Sequence, residues 1–395
     1  MVKLEENNLD EIIKMFKNII VLTTIVFLFI SCSNAQEKQV KAFDFSGVDE
    51  LINNAIEEKI FPGAVLLIWQ NGEILHEKPF GYFTYNVAEP EVTTSTIFDL
   101  ASLTKVIATT TAVMICVDRN LISLDDKVIS HIPEFGANGK ENITVRNLLL
   151  HNSGLAAWKK FYGRGLNKAA VLEEIFNSRL EFETGSKMVY SDLGIITLGK
   201  IIEKVSGLSL DEFSNKEIFE PLEMNSTFFN PADSIKKFCA PTEVDTYWRN
   251  NLLQGEVHDE TAAMLDGVAG HAGLFSTASD LGKFMTMIMN KGVYNKKRII
   301  REETIELFTK IQTTQSSRAL GWDTKSEKGS SAGNLFSAGS FGHTGFTGTS
   351  IWADTERNLF VVFLTNRVYP SRENTKIISF SPKLHNLIIE VMSTY

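Results

Sequence analysis

Apolar runs separated by polar turns occur near both ends of the chain, and apolar residues three or four positions apart recur between them. Near the start, FPGAVLLIWQNGEILHEKPFGY contains two apolar runs joined by Asn71-Gly72, a dipeptide typical of a tight hairpin. Near the end, SIWADTERNLFVVFLTNR contains two further runs around a polar turn. The middle segments LNKAAVLEEIFNSRL and GIITLGKIIEKVSGLSLDEF predict helices, and we expect a last helix over Ser381–Ser393.

These patterns predict an α/β (α+β) fold in which both chain ends build one antiparallel sheet, flanked by helices, with a largely helical inserted region. We assign this domain to residues 46–395. A length of 395 residues, 44% hydrophobic and 22% charged, is that of an ordinary globular protein. A net charge of -9 leaves no basic excess to neutralise phosphates, which argues against nucleic acid as a partner.

The N-terminal region, residues 1–35, has the features of a signal peptide. An apolar run from Ile19 to Ile30 is too short to cross a bilayer, and small residues follow it. The residues before Met15 are acidic, which makes Met15 the candidate start. Cys32 after Phe-Ile-Ser resembles a lipoprotein box, whereas cleavage before Gln36 would suit an ordinary signal peptidase. We favour lipidation of Cys32, with residues 36–45 as a tether.

Both cleavage alternatives predict an exported protein. It is then either a membrane-anchored lipoprotein, in contact with the membrane only through its N-terminal lipid, or a periplasmic or secreted protein. The sequence does not predict an oligomeric state.

The apolar segment Phe98–Asn120 predicts a long amphipathic helix whose first turn carries Ser102 and Lys105. A serine at a helix N-terminus can act as a nucleophile, because the helix dipole favours the negative charge that develops there. A lysine three residues later lies on the same face. In a dry site the Lys105 pKa would fall, and the amine could accept the serine proton. The alternative is a helix cap followed by a surface lysine.

Two further motifs follow Ser-x-x-Lys along the chain. Tyr190-Ser191-Asp192 precedes a predicted helix, and His343-Thr344-Gly345 precedes a predicted strand. Ser-x-x-Lys, a relative of Tyr-x-Asn and a relative of Lys-Thr-Gly, in this order, form the pattern of penicillin-recognising serine enzymes. Segments such as ITVRNLLLHNSGL and IFEPLEMNSTFF also resemble class C β-lactamases and related D-Ala-D-Ala carboxypeptidases, over nearly all of the chain from about Ala42.

The resemblance to this β-lactamase-related, penicillin-binding-protein-like family implies a role for each motif residue. Ser102 would attack a carbonyl and form an acyl-enzyme, and Lys105 would deprotonate it. Tyr190 would relay a proton to the leaving group and later help to activate water. The backbone N–H groups of Ser102 and Phe346 would form the oxyanion hole. The strand that holds the substrate would be lined by His343, Thr344 and Gly345.

Two positions depart from the pattern of many relatives. Asp192 stands where relatives often have Asn, and an ionised carboxylate cannot donate a hydrogen bond to a substrate carbonyl. We therefore expect Asp192 to hold Lys105 by charge. His343 stands where many relatives have Lys, and its unperturbed pKa is about 6.5. We expect protonated His343 to bind a substrate carboxylate better than neutral His343.

A narrower resemblance lies in GEVHDETAAMLDGVAGHAGLFSTASDL. It looks like a bacterial subgroup associated with cell-wall turnover, whose members are carboxypeptidase-like or muropeptide-amidase-like. Its titratable side chains, which we interpret as a polar cleft wall binding a sugar or peptide, are His258, Asp259, Glu260 and His271. A structural loop and a metal site are the alternatives, but no H-E-x-x-H or similar ligand spacing supports a metal. We expect no metal and no cofactor.

A competing motif, Gly329-Ser-Ser-Ala-Gly333, matches the G-x-S-x-G of α/β-hydrolases. That motif needs a buried strand before it and a helix after it, whereas here it lies in a polar, Gly/Ser-rich stretch. We interpret it as a loop near the cleft.

The sequence therefore predicts an exported serine hydrolase that acts through an acyl-enzyme on an amide or ester. The expected substrate is a small molecule or a muropeptide, and we favour a peptidoglycan-derived peptide. The alternative is a penicillin- or cell-wall-peptide-binding or sensing protein that does not turn over. The motifs do not distinguish β-lactam, D-Ala peptide, muropeptide amide and ester, because all share acyl-transfer chemistry.

Overall fold

The computed structural model describes residues 11–18, 43–313 and 316–393. The chain divides into two compact units, Met1–Phe43 and Asp44–Tyr395. In the first unit, residues 11–18 form a helix with exposed side chains. The expected signal-peptide core and the lipidation site at Cys32 lie outside the described residues, so they stay predictions.

The second unit is built around a six-stranded antiparallel sheet with the strand order β10-β11-β12-β13-β1-β2. Strands β1 and β2 come from the start of the unit and β10 to β13 from its end, which confirms that both chain ends build one sheet. The strands of the chain are β1 (Gly63–Gln70), β2 (Glu73–Gly81), β3 (Phe98–Asp99), β4 (Phe228–Phe229), β5 (Val244–Asp245), β6 (Asn251–Leu252), β7 (Leu274–Ser276), β8 (Val293–Tyr294), β9 (Lys297–Arg298), β10 (Asp323–Thr324), β11 (Phe341–Thr344), β12 (Ser350–Asp354) and β13 (Leu359–Thr365).

The predicted hairpin joins β1 and β2, which pair antiparallel with one shift of register between Ile68 and Trp69. Its turn residues Asn71 and Gly72 have φ of 53° and 98°. Positive φ at both central positions is what a two-residue turn between right-twisted strands requires, and Asn-Gly adopts it at low cost. Next to this hairpin, β1 pairs with β13, so the first and last long strands form the centre of the sheet.

The α-helices of the second unit are α1 (Ser46–Glu57), α2 (Ala101–Asp118), α3 (Val145–Leu149), α4 (Lys168–Phe176), α5 (Asp192–Ser206), α6 (Leu210–Ser214), α7 (Asp233–Lys236), α8 (Glu260–Met264), α9 (Ala278–Met289), α10 (Glu302–Thr309) and α11 (Ile377–Ser393). Helices α2 to α10 lie between the sheet-forming ends, as predicted, whereas α1 precedes β1 and α11 follows β13. A continuous hydrophobic cluster joins one face of the sheet to α2, α5 and α9.

The helix that carries Ser102 differs from the prediction at its start and in its burial. Phe98 and Asp99 form strand β3, which pairs with β7, and α2 begins only at Ala101. Among the described residues, α2 is the one helix long and apolar enough to cross a membrane, but 83% of it is buried inside the protein. It is the core helix of the unit and not an amphipathic one, because other elements cover it on all sides.

The last helix begins at Ile377, one turn before the predicted Ser381. The additional turn buries Ile377 and Phe380. The Phe380 ring packs edge-on against the ring of Phe61, with centroids 5.4 Å apart. Tertiary packing therefore extends the helix beyond the boundary that the sequence suggests.

Candidate active site

The turn before α2 fixes the position of Ser102. Ala101 has a φ of 46°, which is unusual for a residue other than glycine, and its N–H donates to Asp99 Oδ1 at 2.8 Å. Asp99 Oδ2 accepts the His258 N–H at 2.7 Å, and burial raises the pKa of this carboxyl. Asp99 thus connects the start of α2 to the His258 segment. Sequence reasoning missed it, although an Asp two residues before a helix start is a known turn signal.

Lys105 is fully buried, and its ammonium group contacts three oxygen atoms of the protein. Its Nζ donates to Ser102 Oγ at 2.8 Å and to the backbone carbonyl of His271 at 3.0 Å. It also lies 2.8 Å from Asp192 Oδ1, at the start of α5. The structure therefore brings the first two motifs into direct contact, and the charge pairing expected between Asp192 and Lys105 is present.

The protonation of Lys105 differs from the expectation. Burial acts to lower its pKa, but the Asp192 carboxylate and the nearby Tyr190 outweigh burial and raise the pKa to about 12. A carboxylate at the position where relatives often have an amide is the physical reason. Lys105 is an ammonium ion in the resting protein and cannot by itself accept the Ser102 proton.

Tyr190 lies between two cationic groups. Lys105 Nζ is 4.9 Å from the centroid of its ring, and the Arg318 guanidinium is 5.1 Å from it. The ring also packs against His151, with centroids 4.6 Å apart. His151 is buried and its Nδ1 accepts the Ser191 N–H at 3.0 Å, so it holds the Tyr-Ser-Asp motif in place.

His343 is buried beside Tyr190, with ring centroids 5.9 Å apart. Its Nδ1–H donates to the Thr344 carbonyl at 2.8 Å. Burial, together with the charges of Arg318 and Lys105, holds the His343 pKa well below its usual range. Burial first, and then the neighbouring cations, therefore oppose the titration of His343 near neutral pH that its unperturbed pKa would give. Thr344 follows it at the exposed end of β11.

The turn between β11 and β12 is tied to the start of α2. Thr347 Oγ1 donates to the Asp99 carbonyl at 2.7 Å, and Thr349 Oγ1 donates to the Leu100 carbonyl at 3.0 Å. A Cβ at Gly345 would lie 2.4 Å from that same Leu100 carbonyl oxygen, so only glycine allows this close approach. These contacts fix the Phe346 backbone relative to that of Ser102, as an oxyanion hole needs.

Two cavities of about 430 and 310 Å³ meet at Ser102 and Phe346, which border both. The first is bordered by Tyr190, His343, Arg318 and Arg367. The second is bordered by Asp192, the acidic pair Asp259 and Glu260, and the aromatic residues Trp158 and Tyr162. The two sides of Ser102 thus differ in chemistry.

The cluster predicted around residues 258–271 divides into two groups. His258 Nε2 lies 3.0 Å from Glu243, and its ring stacks on Phe346 at 5.5 Å. Asp259 Oδ1 lies 2.8 Å from His271 Nε2, and although burial opposes it, the charge of His271 holds the Asp259 pKa well below its usual range. His258, Asp259 and Glu260 border the second cavity, whereas the His271 side chain is buried.

Three side chains of this region could act as ligands of a cation, since the ligand atoms of Asp192, Asp259 and His271 lie within 4.8 Å of one another. The Lys105 ammonium already contacts Asp192 and the His271 backbone. It supplies the positive charge that balances these carboxylates.

The arginines of the site were missed by sequence reasoning, because no motif marks an isolated arginine in a loop. The Arg318 side chain is 14% exposed and borders the first cavity. Arg367 is buried, which lowers its pKa to about 10, and its Nη1 donates to the carbonyls of Arg372 and Asn374. Arg372 pairs with Glu243 at 2.6 Å and borders the second cavity.

The competing Gly329–Gly333 motif lies in a turn without a strand before it or a helix after it. Ser331 Oγ accepts the Trp352 indole N–H at 3.1 Å, and Ser331 borders the first cavity. The loop interpretation is therefore consistent with the structure.

The groups gathered at Ser102 suit acyl transfer: the hydroxyl is in contact with a lysine that carries its proton, and a tyrosine lies beside that lysine.

Comparisons with known proteins agree with this fold. A model of the β-lactamase family matches residues 48–379. An N-acetylmuramyl-L-alanine amidase of Bacillus subtilis (strain 168) is 34% identical over 368 residues, which cover 85% of this chain and 83% of that protein. A Salmonella agona (strain SL483) protein named "Putative D-alanyl-D-alanine carboxypeptidase" is 31% identical, with 84% of each chain covered.

Among solved structures, a class C β-lactamase from Rhodobacter sphaeroides shares the fold, with a TM-score of 0.68 at 19% identity, covering 86% of this chain and 99% of that one. The predicted fold class and the family resemblance are both confirmed. The chain belongs to the β-lactamase family and is a hydrolase of that family.

Proposed function

We propose that this protein is an exported serine amidase that cleaves the amide between the sugar-acid half and the peptide half of a muropeptide, through an acyl-enzyme on Ser102. The observation that carries the proposal is the position of Ser102 between two cavities of different chemistry. The name of the Bacillus subtilis relative, an N-acetylmuramyl-L-alanine amidase, supports the same bond.

The resting protonation of Lys105 dictates the order of proton movements. As Ser102 Oγ attacks the carbonyl, its proton passes to Lys105 while Lys105 passes one of its own protons to the Tyr190 oxygen and the Tyr190 hydroxyl gives its proton to the leaving nitrogen. These transfers occur together, because neither the ammonium ion nor the neutral phenol can hold an additional proton, so that Lys105 stays an ammonium ion throughout. The Ser102 and Phe346 N–H groups stabilise the oxyanion, and water repeats the sequence in reverse to release the acid.

Tyr190 indicates which half of the substrate lies on which side. It borders the first cavity and not the second, so the leaving amine, and with it the peptide, belongs in the first cavity. The acyl half then lies in the second cavity. There Trp158 and Tyr162 offer apolar faces to a sugar ring, and Glu260 offers an acceptor to hydroxyl groups.

A D-Ala carboxypeptidase is the second candidate. Arginines 318 and 367 beside the first cavity would suit the terminal carboxylate of a departing D-Ala, and the Salmonella relative bears that name. A binding protein without turnover is less well supported, because Ser102 and Lys105 are in hydrogen-bonding contact and Tyr190 lies beside them.

Incubation with purified muropeptides, followed by mass analysis, tests the function. We expect release of an intact peptide and of the free sugar acid. Loss of a single D-Ala would establish the carboxypeptidase. Acylation in a stoichiometric burst, without released product, would establish the binding protein.

Export is tested separately. We propose that Cys32 is the mature, lipidated N-terminus, on the strength of the apolar run that ends just before it. Intact-mass analysis of protein from its host should then show a diacyl or triacyl group on Cys32. An unlipidated chain that starts at Gln36 would contradict the lipoprotein and leave the export proposal standing.

A further inference from the structure

We propose that Arg318 binds a carboxylate of the peptide half of the substrate in the first cavity, and so selects leaving groups that carry a free carboxylate. This inference rests on the proposed function, because it takes the first cavity as the leaving-group side of Ser102. Neither the three motifs nor the family comparison marks Arg318.

The first observation is an unpaired donor. The Arg318 Nη1 atom is buried and has no hydrogen-bond partner among the described residues. The acid nearest to its guanidinium, Asp323, lies 3.6 Å from Nε, which is too long for a hydrogen bond. A buried guanidinium donor without an acceptor is costly to maintain, and a ligand oxygen would satisfy it.

The second observation is position. The Arg318 guanidinium lies 5.1 Å from the centroid of the Tyr190 ring, and Arg318 borders the first cavity together with Ser102. It therefore stands beside the residue that protonates the leaving amine. A carboxylate at the far end of a short leaving peptide, or on an acidic side chain within it, can reach this place.

The third observation concerns the other cationic groups of the site. Lys105 Nζ lies within 3.0 Å of three protein oxygens, on Ser102, His271 and Asp192. Arg367 donates through Nη1 to two backbone carbonyls and lies against the Phe346 ring at 4.5 Å. Its buried Nε has no hydrogen-bond partner among the described residues, so Arg318 is distinguished from it by its place against the Tyr190 ring. Burial, together with the charges of Arg318 and Lys105, holds the pKa of His343, at the position where relatives have Lys, well below its usual range. Arg318 can thus supply the charge that His343 lacks, with a planar fork that fits a carboxylate.

A purely structural role is the competing explanation, since Arg318 could act only by holding Tyr190. The two roles predict different results for a matched pair of substrates, one with a free peptide carboxylate and one with that carboxylate amidated. We expect wild type to prefer the free acid. Arg318→Gln should reduce this preference, measured as the ratio of the two kcat/KM values, by about 10- to 100-fold, mainly through KM. Arg318→Lys should restore part of it, because it keeps the charge without the fork.

Arg179→Gln is the control, because Arg179 is exposed and borders neither cavity. If Arg318→Gln lowers both rates equally and leaves the ratio unchanged, Arg318 only positions Tyr190 and the inference is overturned. A ratio that falls in wild type between about pH 5.5 and 8 would assign the carboxylate to a histidine instead, since arginine stays charged over that range.

Failure of the proposed function gives a different result. If wild type hydrolyses a simple ester but neither peptide, the amidase proposal fails while Arg318 is still testable. The free-acid and amidated peptides are then compared as competitive inhibitors of ester hydrolysis. Equal inhibition constants would overturn the inference, and tighter binding of the free acid that is lost in Arg318→Gln and partly kept in Arg318→Lys would support it.

Discussion

Lys105 keeps its proton because Asp192 is a carboxylate, and this single residue changes how the serine can be activated. Burial alone would lower the Lys105 pKa and favour a neutral amine, which is the form that the sequence predicts as the base for Ser102. The Asp192 oxygen 2.8 Å from Nζ reverses that balance and raises the Lys105 pKa to about 12. The ammonium form, donating to Ser102, is therefore the form that the mechanism has to start from.

Replacing Asp192 by Asn tests this balance. Removing the carboxylate while burial remains should lower the Lys105 pKa from about 12. Because the ammonium form is the active one, activity should then be lost as pH rises through the lowered pKa. The pH–rate profile of Asp192→Asn on a neutral ester should gain a falling limb at lower pH than that of wild type. Identical basic limbs would show that the Asp192 charge does not hold the proton on Lys105.

Ser102→Ala should lower kcat by about three orders of magnitude or more, because it removes the covalent route. A fluorophosphonate probe should label Ser102 in wild type, and Ser331→Ala should still be labelled at the same place. Peptide mapping by mass spectrometry checks both. A label on Ser331 would move the chemistry to the competing Gly-x-Ser-x-Gly motif.

The motif residues could be predicted from spacing, because Ser102, Lys105, Tyr190 and Asp192 each lie at a helix start or just before one. Their protonation states could not be predicted. Those states depend on groups that folding brings from distant segments, such as Arg318 beside His343. Arg318 itself lies in a polar loop where the sequence has no periodic or turn signal that would single it out.

At the scale of elements, the connection between the β11–β12 turn and the start of α2 sets the position of the proposed oxyanion hole. Its parts were not predicted, because the sequence interpretation treated Phe98–Asn120 as one helix. Phe98 and Asp99 form a strand instead, since β7 offers them a partner. The carbonyls of that strand end accept the threonine hydroxyls of the turn.

Thr347→Val removes one of these hydrogen bonds with little change in side-chain volume. We expect kcat to fall about 10- to 100-fold with KM almost unchanged, because the Phe346 N–H is then less well placed for the oxyanion. Thr349→Val should act in the same way. The control is Thr286→Val in α9, which also loses one hydroxyl-to-carbonyl bond but lies outside both cavities. A rise in KM with kcat unchanged would contradict this role of the turn.

At the scale of the whole molecule, the arrangement of the sheet was predictable because hairpin and strand signals occur only near the two ends of the domain. The protonation states of the buried histidines could not be predicted in the same way. His151, His343 and His385 are buried, and burial is the largest cause of their lowered pKa values, with His385 at about 4. All three are neutral in the folded protein at neutral pH, whereas in the unfolded chain they would titrate near 6.5.

Acid should therefore destabilise the fold from about pH 6.5 downward. Below that pH the unfolded chain binds protons that the folded one does not, and each such histidine costs about 1.4 kcal/mol of unfolding free energy per pH unit. His385 donates to the Ser331 and Ser381 carbonyls and does not itself border either cavity. His385→Gln should flatten the pH dependence between about pH 6.5 and 4, measured by urea unfolding. Equal slopes of unfolding free energy against pH in wild type and variant would contradict the neutral state of His385. The difference between the two proteins at pH 8 measures the stability that the variant loses for reasons other than titration.

The meeting of two cavities at Ser102 and Phe346 has a consequence for what the acyl-enzyme can react with. In the proposed mechanism, the acyl group still fills the second cavity once the amine product has left the first. The ester carbonyl on Ser102 is then reachable only from the emptied side, next to Tyr190. Any small primary amine that enters there competes with water for the same carbon, so added amino-acid amides should divert part of the acyl group into newly made amides, in proportion to their concentration.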